Sequence, residues 1–231
     1  MGFYSKRQIP VITIDGPGGV GKGTICQALA KRLRWHFLYS GMIYRILAFY
    51  TLYNKISVSL CTEERLISVA QHLDINSIIT KGVYDIILKG KNISNLIYME
   101  KIGTIASKIA QLPRVRKALL CQLRACRKLP GLIAEGRDMG TVVFPDAHLK
   151  FFLDASIEER ARRRMLQLQR NGVNNVNFEQ LVYDIKRRDE RDRNRIIAPL
   201  KPADDAIILD STSMDIQQVI EQVYHRIYIH K

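Results

Sequence analysis

One stretch narrows the possible folds of this chain more than any other: Gly16-Pro17-Gly18-Gly19-Val20-Gly21-Lys22-Gly23-Thr24. The apolar, β-branched run Pro10–Asp15 precedes it, and Ile25–Leu33, with apolar residues at helical spacing, follows. Strand, glycine loop and helix in that order form the context of a phosphate-binding loop. The glycines let backbone N–H groups turn inward, and the helix N-terminus adds roughly half a positive charge. Lys22 then reaches the β and γ phosphates of a nucleotide. The plain alternative is a glycine-rich strand–helix turn, and the flanking elements argue against it. Gly23 follows the lysine where Ser or Thr is commoner, so the usual magnesium-binding hydroxyl moves one place on, to Thr24.

Composition limits what surrounds that loop. A chain of 231 residues with 47% hydrophobic content can build one core with insertions. The four cysteines (Cys26, Cys61, Cys121, Cys126) show no metal-ligand spacing and read as reduced thiols, as expected of a cytoplasmic protein. No run approaches the roughly 18 apolar residues of a membrane span, and Met1–Gln8 reads as a polar lead-in rather than a targeting segment. A net charge of +14 invites a nucleic-acid reading. Yet the basic residues recur as Arg114 and Arg116, Arg137, Arg160 to Arg164, and Arg187 to Arg195, often with acids between them. Arginines scattered in sequence that converge in space suit a site for several phosphates. No nucleic-acid partner is therefore expected, and the chain reads as a monomer.

The pattern along the chain is that of alternating strands and helices. Trp35–Tyr39 reads as a second buried strand, with His36 structural rather than a ligand. Ser40-Gly41-Met42-Ile43-Tyr44-Arg45 opens a helix, and either an ordinary Ser cap or a second anion site explains Ser40 and Arg45. A helix starts at Thr62-Glu63-Glu64 and runs to about Leu73. The period then changes to short strand-like runs between 74 and 95, separated by Lys81-Gly82 and Lys89-Gly90, which predict a small antiparallel insertion. Tyr98–Ala110 and Pro113–Lys128 read as helices, with Arg114 and Arg116 at the end of the second that the dipole disfavours for cations. Gly131–Glu135 is a third core strand, His148–Asp154 a fourth and Ala206–Asp210 a fifth, with a closing helix from Asp215 to about Ile229. Ser156-Ile157-Glu158-Glu159 has the form of a capping box, opening a helix in which Arg160 and Arg164 share a face. The polar loop 170–176 separates it from a second arginine-dense helix, and together they describe a lid.

The expected fold is thus α/β, a five-stranded parallel sheet flanked by helices with the phosphate loop after its first strand. In such sheets ligands bind beyond the carboxyl ends of strands, which places Glu135, Arg137 and Asp138 on the same edge as the loop. The chain reads as one domain: core 8–40, 130–156 and 196–231, an acceptor-binding region with its insertion at 41–129, and a lid at about 157–195. Several arginines and no residue suited to positioning an attacking water favour phosphoryl transfer over hydrolysis, because transfer depends mainly on alignment and charge neutralisation.

Gly-Lys-Gly-Thr at 21–24 resembles the loop of nucleoside monophosphate kinases of the adenylate kinase type. Gly-Pro-Gly-Gly-Val-Gly-Lys-Gly-Thr at 16–24, Ser-Gly-x-x-Tyr-Arg at 40–45, Pro-Arg-Val-Arg at 113–116, Glu-Gly-Arg-Asp-Met-Gly-Thr-Val-Val-Phe-Pro at 135–145 and Arg-Asp-Arg-Asn-Arg at 191–195 resemble bacterial-type cytidylate kinase along nearly the whole chain. The resemblance implies transfer of the γ phosphate of ATP to CMP or dCMP with Mg2+. It implies that Gly16, Pro17, Gly18, Gly19, Val20, Gly21, Lys22, Gly23 and Thr24 hold the donor phosphates, with Arg160 and Arg164 as lid arginines. Arg45, Arg137 and Arg195 would hold the acceptor phosphate, near Ser40. Ser107, Arg116 and Asp138 would read the cytosine edge, and Arg188 and Asp192 would meet the sugar hydroxyls. Lys22, Arg137, Arg188 and Arg195 would carry the catalysis. No residue is assigned as a metal ligand. Two departures stand out: Tyr39 replaces the usual acid before the Ser-Gly pair, and Glu135 replaces the frequent Asp. The first leaves the ordering of magnesium or Lys22 to Asp15 or Glu135 and predicts lower activity. The competing readings are a kinase for UMP or a coenzyme precursor, and a basic nucleic-acid binder; the latter lacks aromatics interleaved with its arginine runs.

Overall fold

The structure, a computed structural model, describes residues 8–72, 87–88, 91–170, 172–173 and 175–229. In chain order the elements are β1 (Val11–Asp15), α1 (Lys22–Leu33), β2 (His36–Tyr39), α2 (Ser40–Tyr53), a 3-10 turn (Leu60–Thr62), α3 (Glu63–Gln71), β3 (Ile87–Leu88), β4 (Lys91–Asn92) and α4 (Ser94–Ile97). Then follow α5 (Glu100–Ile109), α6 (Pro113–Ala125), β5 (Leu132–Gly136), a π-helical turn (Met139–Val143), β6 (Leu149–Asp154), α7 (Ile157–Arg170), α8 (Phe178–Asn194), β7 (Ile207–Asp210) and α9 (Ile216–Ile229).

β1 is buried at every residue, and its Val-Ile-Thr-Ile run has the branched side chains that suit a strand covered on both faces. It pairs in parallel with β5 on one side and β6 on the other, giving a five-stranded sheet in the order β2-β5-β1-β6-β7. Alternation along the strands feeds two cores. Val11, Leu38, Leu132 and Ala134 face a cluster shared with α2, α3, α5 and α6, including Leu47, Leu66, Ile109 and Leu119. Ile12, Ile14, Ile133 and Phe151 face the other, with Ile25 and Leu29 of α1 and Val219 and Val223 of α9.

The register sets Asp15 opposite Gly136 and Phe152, and Tyr39 opposite Glu135, so the carboxyl ends of β1, β2, β5 and β6 form one edge. This is the parallel sheet the sequence leads one to expect. Several boundaries differ. The helix predicted over 98–110 is α5, Glu100–Ile109, and the separate short helix α4 precedes it at Ser94–Ile97. The helix predicted to Lys128 ends at Ala125, where Arg124 turns its guanidinium to the carbonyls of Val142 and Val143. The capping box is half formed: Ser156 Oγ accepts from the Glu159 N–H at 3.2 Å, but the Glu159 carboxylate is drawn to Arg162 and Arg163. Of the antiparallel insertion, the described residues show the β3–β4 pair, while the runs at 74–86 lie outside them. The π-helical turn had no local signal: Val142 and Val143 read as strand formers, and its wide bonds run from the Val143 and Phe144 N–H groups to the Asp138 and Met139 carbonyls, at 3.1 and 2.7 Å.

Phe151, 1% exposed on a strand paired on both sides, is a direct probe of this core. Phe151→Ala is expected to lower unfolding free energy by about 3–5 kcal/mol in a urea titration, whereas Ile208→Ala, at an edge-strand side chain 64% exposed, changes it by less than about 0.5 kcal/mol.

Candidate active site

The phosphate loop leaves β1 through Gly16, whose φ of +147° and position would set a Cβ 2.0 Å from the Leu153 carbonyl oxygen. Only glycine lets the loop turn that close to β6. α1 begins without a side-chain cap and without an acid in its first turn, so the dipole and N–H groups of that terminus face no carboxylate of their own helix. Lys22 is 5% exposed, and its ammonium folds back to donate to the Gly16 carbonyl at 2.9 Å and the Pro17 carbonyl at 2.7 Å. Burial first, and the nearby Arg137 charge second, pull its pKa down to about 7. Burial pushes the Glu135 carboxyl the other way, upward, against Lys22 and Arg137. The Oε2 atom of Glu135 is buried and without a hydrogen-bond partner, and a Cβ on Gly23 would lie 3.3 Å from it. Thr24 is exposed at the first turn of α1.

Across the strand ends from the loop lies a set of arginines from four elements. A Cβ on Gly18 would lie 3.5 Å from guanidinium nitrogens of both Arg137 and Arg188, and one on Gly103 would lie 3.0 Å from Arg45 and 3.5 Å from Arg188. These contacts bring the residue after β5, one from α8 and one from α2 to a single place beside the loop. Arg137 donates through Nε to Asp192 at 3.0 Å, and Ser107 Oγ donates to the other oxygen of Asp192 at 2.9 Å. Burial works against the ionised Asp192, but Arg137, Arg188 and Arg195 hold its pKa below the usual range. Arg116 pairs with Asp138, both nearly buried, and reaches the Ala110 carbonyl at 3.2 Å. Arg195, 7% exposed, donates to the Ala198 carbonyl, and burial lowers its pKa. Arg45 donates to the Ile97 carbonyl at 2.6 Å.

Lys22, Arg45, Ser107, Arg116, Arg137, Asp138, Arg188, Asp192 and Arg195 thus come from elements that meet at one edge. Other expected residues are differently placed. Ser40 is buried and donates to the Glu135 carbonyl at 2.8 Å, tying the start of α2 to β5. Arg160 is 2% exposed and is held against the loop: it pairs with Asp189 at 2.6 Å and donates to the Gly18 carbonyl at 3.2 Å. Arg164 donates to the Tyr98 carbonyl at 3.0 Å. Arg114, whose place at a helix start asked for an anion, finds Glu64, and Glu63 accepts the Arg114 N–H at 3.0 Å. His36 lies 2.8 Å from the Leu129 carbonyl, a structural contact. Asp15 accepts from the Met139 and Gly140 N–H groups at 2.9 and 2.7 Å, so both its oxygens are engaged. Burial raises its pKa to about 7 while the two N–H donors work to lower it. Sequence reasoning missed Asp189 and Arg163. Arg163 ties α7 to the Val20 carbonyl at 3.3 Å and to Ser211, and no local pattern announces either residue.

Among the described residues no group of three or more His, Cys, Asp or Glu could hold a metal ion, and no helix is long and apolar enough to cross a membrane. All four cysteines are free, Cys26 and Cys126 buried and Cys61 and Cys121 exposed.

A loop built for phosphates, arginines gathered beside it and a buried carboxylate within the same edge have counterparts in known proteins. The family model described as cytidylate kinase matches residues 12–228. The chain is 58% identical over 214 residues to "Cytidylate kinase" of Klebsiella pneumoniae (strain 342), covering 93% of each chain. It is 58% identical over 213 residues to "Cytidylate kinase" of Yersinia pestis (strain Pestoides F), covering 92% of this chain and 91% of that one. The chain belongs to the cytidylate kinase family.

Proposed function

We propose that this chain transfers the γ phosphate of ATP to CMP or dCMP, giving ADP and CDP or dCDP, at the edge where the phosphate loop meets the arginine cluster. The observation that carries the reading is the bracketing of Gly18 by Arg137 and Arg188, since a γ phosphate leaving the loop there meets two cations. The attacking oxygen belongs to an already ionised phosphate, so no general base is needed, and alignment with charge neutralisation does the chemistry. The loop residues and Lys22 hold the donor phosphates. Arg45, Arg137 and Arg195 hold the acceptor phosphate, with Arg188 between the two and Asp192 on the sugar hydroxyls. Ser107, Arg116 and Asp138 read the base. Cytosine offers an amino donor to the Asp138 carboxylate, whereas uracil offers an acceptor there and is penalised. Arg160, held against the loop, shapes it, and Arg164 closes from α7.

Magnesium fits beside Glu135, whose buried Oε2 lacks a partner, with the Thr24 hydroxyl on the adjoining turn. When bound, the ion neutralises charge on the donor phosphates. On this reading the enzyme is a cytoplasmic monomer.

A coupled ADP-release assay with ATP, magnesium and each of CMP, dCMP, UMP and AMP tests the reading. Strong turnover with CMP and dCMP and little with UMP is expected; turnover with UMP or AMP alone would replace the acceptor, and no turnover with any would remove the reading. Asp138→Ala is expected to lower the preference for CMP over UMP by at least about tenfold in kcat/KM. Lys22→Ala is expected to reduce turnover by about 10²–10³-fold while thermal unfolding stays cooperative. The lowered pKa of Lys22 also predicts proton linkage. Phosphates that pair with the ammonium raise its pKa, so ATP binding takes up a proton between about pH 7 and 9. Calorimetry in buffers of different ionisation enthalpy should show that uptake, and Lys22→Met should lack it.

A further inference from the structure

We propose that Asp15 is a positioning residue for this transfer: its carboxylate locks the segment Arg137–Asp138 to the phosphate loop. The inference rests on the reading of Asp138 as the base reader.

Three features carry it. The first is reach. Asp15 is the last residue of β1 and the immediate neighbour of Gly16, where the loop begins. Its two carboxylate oxygens accept from Met139 and Gly140, the residues that follow Asp138, at 2.9 and 2.7 Å. One side chain therefore joins the donor loop to the acceptor segment across 124 positions of chain.

The second is substitution of a cap. Met139 and Gly140 open the π-helical turn, so their N–H groups are among the donors that a helix start leaves unsatisfied. Asp138 stands at the capping position, and an aspartate there ordinarily turns its own carboxylate onto such donors. Here it makes no side-chain cap. Asp15 satisfies those donors instead, and the Asp138 carboxylate is turned to Arg116. Without Asp15, Asp138 has a competing use for its oxygens within its own turn.

The third is confinement. Asp15 is 4% exposed, and a Cβ on Gly140 would lie 2.9 Å from Thr13 Oγ1 and 3.1 Å from Lys150. The turn is thus pressed against β1, and Arg124 holds its far end through the Val142 and Val143 carbonyls. Arg137 and Asp138, between β5 and this clamp, have fixed chain on both sides.

Asp15→Asn tests the assignment. The amide keeps one acceptor but aims an NH2 group at an N–H donor, so the turn loses one charge-assisted bond and gains a repulsion. The expected result is a fall of about tenfold or more in kcat/KM for CMP and in the preference for CMP over UMP, with KM for ATP changed less than about twofold. A purely structural role would lower the melting temperature and leave the CMP-to-UMP preference unchanged, and that outcome overturns the proposal. Should the variant not fold, hydrogen exchange in the wild-type protein decides: the Met139 and Gly140 amides should exchange as slowly as those of β1 without ligand, and fast exchange overturns the clamp. If the wild-type protein does not phosphorylate CMP, the base-reading premise fails, and the exchange rates still report separately whether the clamp exists.

Discussion

Parallel pairing of β1 with β5 and β6 is the constraint on which everything at the site depends. Three segments far apart in sequence end at the same edge because their strands run the same way in a fixed register, Asp15 beside Gly136 and Phe152. That register is set by burial on both faces: a slip of one residue would turn Ile12 and Ile14 from the α1–α9 core to the opposite one. The phosphate loop after β1 and Arg137–Asp138 after β5 are neighbours for that reason first. Proximity of donor and acceptor, the larger part of what phosphoryl transfer requires, follows from hydrophobic patterning rather than from the charged residues themselves.

The charged residues pose the opposite problem. Lys22, Arg160, Arg195, Asp138 and Asp192 are each less than a tenth exposed, and isolated charges so placed would be unstable. The fold meets this by pairing: Arg160 with Asp189, Arg137 with Asp192, Arg116 with Asp138, and Lys22 with two loop carbonyls. Buried pairs of this kind add little net stability but are costly to break from one side. On the proposed reading, substrates compensate for what they disrupt. A phosphate takes the place of carbonyl oxygens around Lys22, and a cytosine amino group shares the Asp138 carboxylate with Arg116. A ligand unable to make both exchanges leaves a buried charge unmatched, and selectivity follows from that penalty.

The parts legible in sequence were those whose cause is local. β1 and its glycine loop, the positions of the strands along the chain and the arginine-rich helices show themselves through short-range patterning, and the family's motifs show which side chains to look for. What sequence hid was decided by competition between partners, near in the chain or far from it. Asp15 looks like the acid of a phosphate site, yet its oxygens are claimed by amides near the end of another strand. Arg160 and Arg164 share a helix face, but the first pairs with Asp189 against the loop while the second donates to the Tyr98 carbonyl. Ser156 and Glu159 have the spacing of a reciprocal cap, and two arginines one turn on compete successfully for the glutamate. In each case a competing partner takes up a group whose local pattern suggested another use.

Tyr39 shows the same competition at the site. Its ring lies on Phe37, with centroids 6.4 Å apart, and packs against the cluster of Met42, Ile46, Ile93 and Ile97. A Cβ on Gly41 would meet that ring at 2.9 Å, so the glycine after Ser40 is what admits an aromatic here. Burial, with the Glu135 carboxylate nearby, raises the phenol pKa further, which keeps Tyr39 neutral throughout the working range. The negative charge that an acid would bring at position 39 is therefore absent, and Lys22 is balanced by Glu135 first and by Asp15 after it. Glu135 is left as the carboxylate facing Lys22 and Arg137, one methylene longer than aspartate and with one oxygen unpartnered. With a neutral residue at position 39 the balancing of Lys22 falls chiefly on Glu135, whose Oε2 lies close to Gly23, beside that lysine.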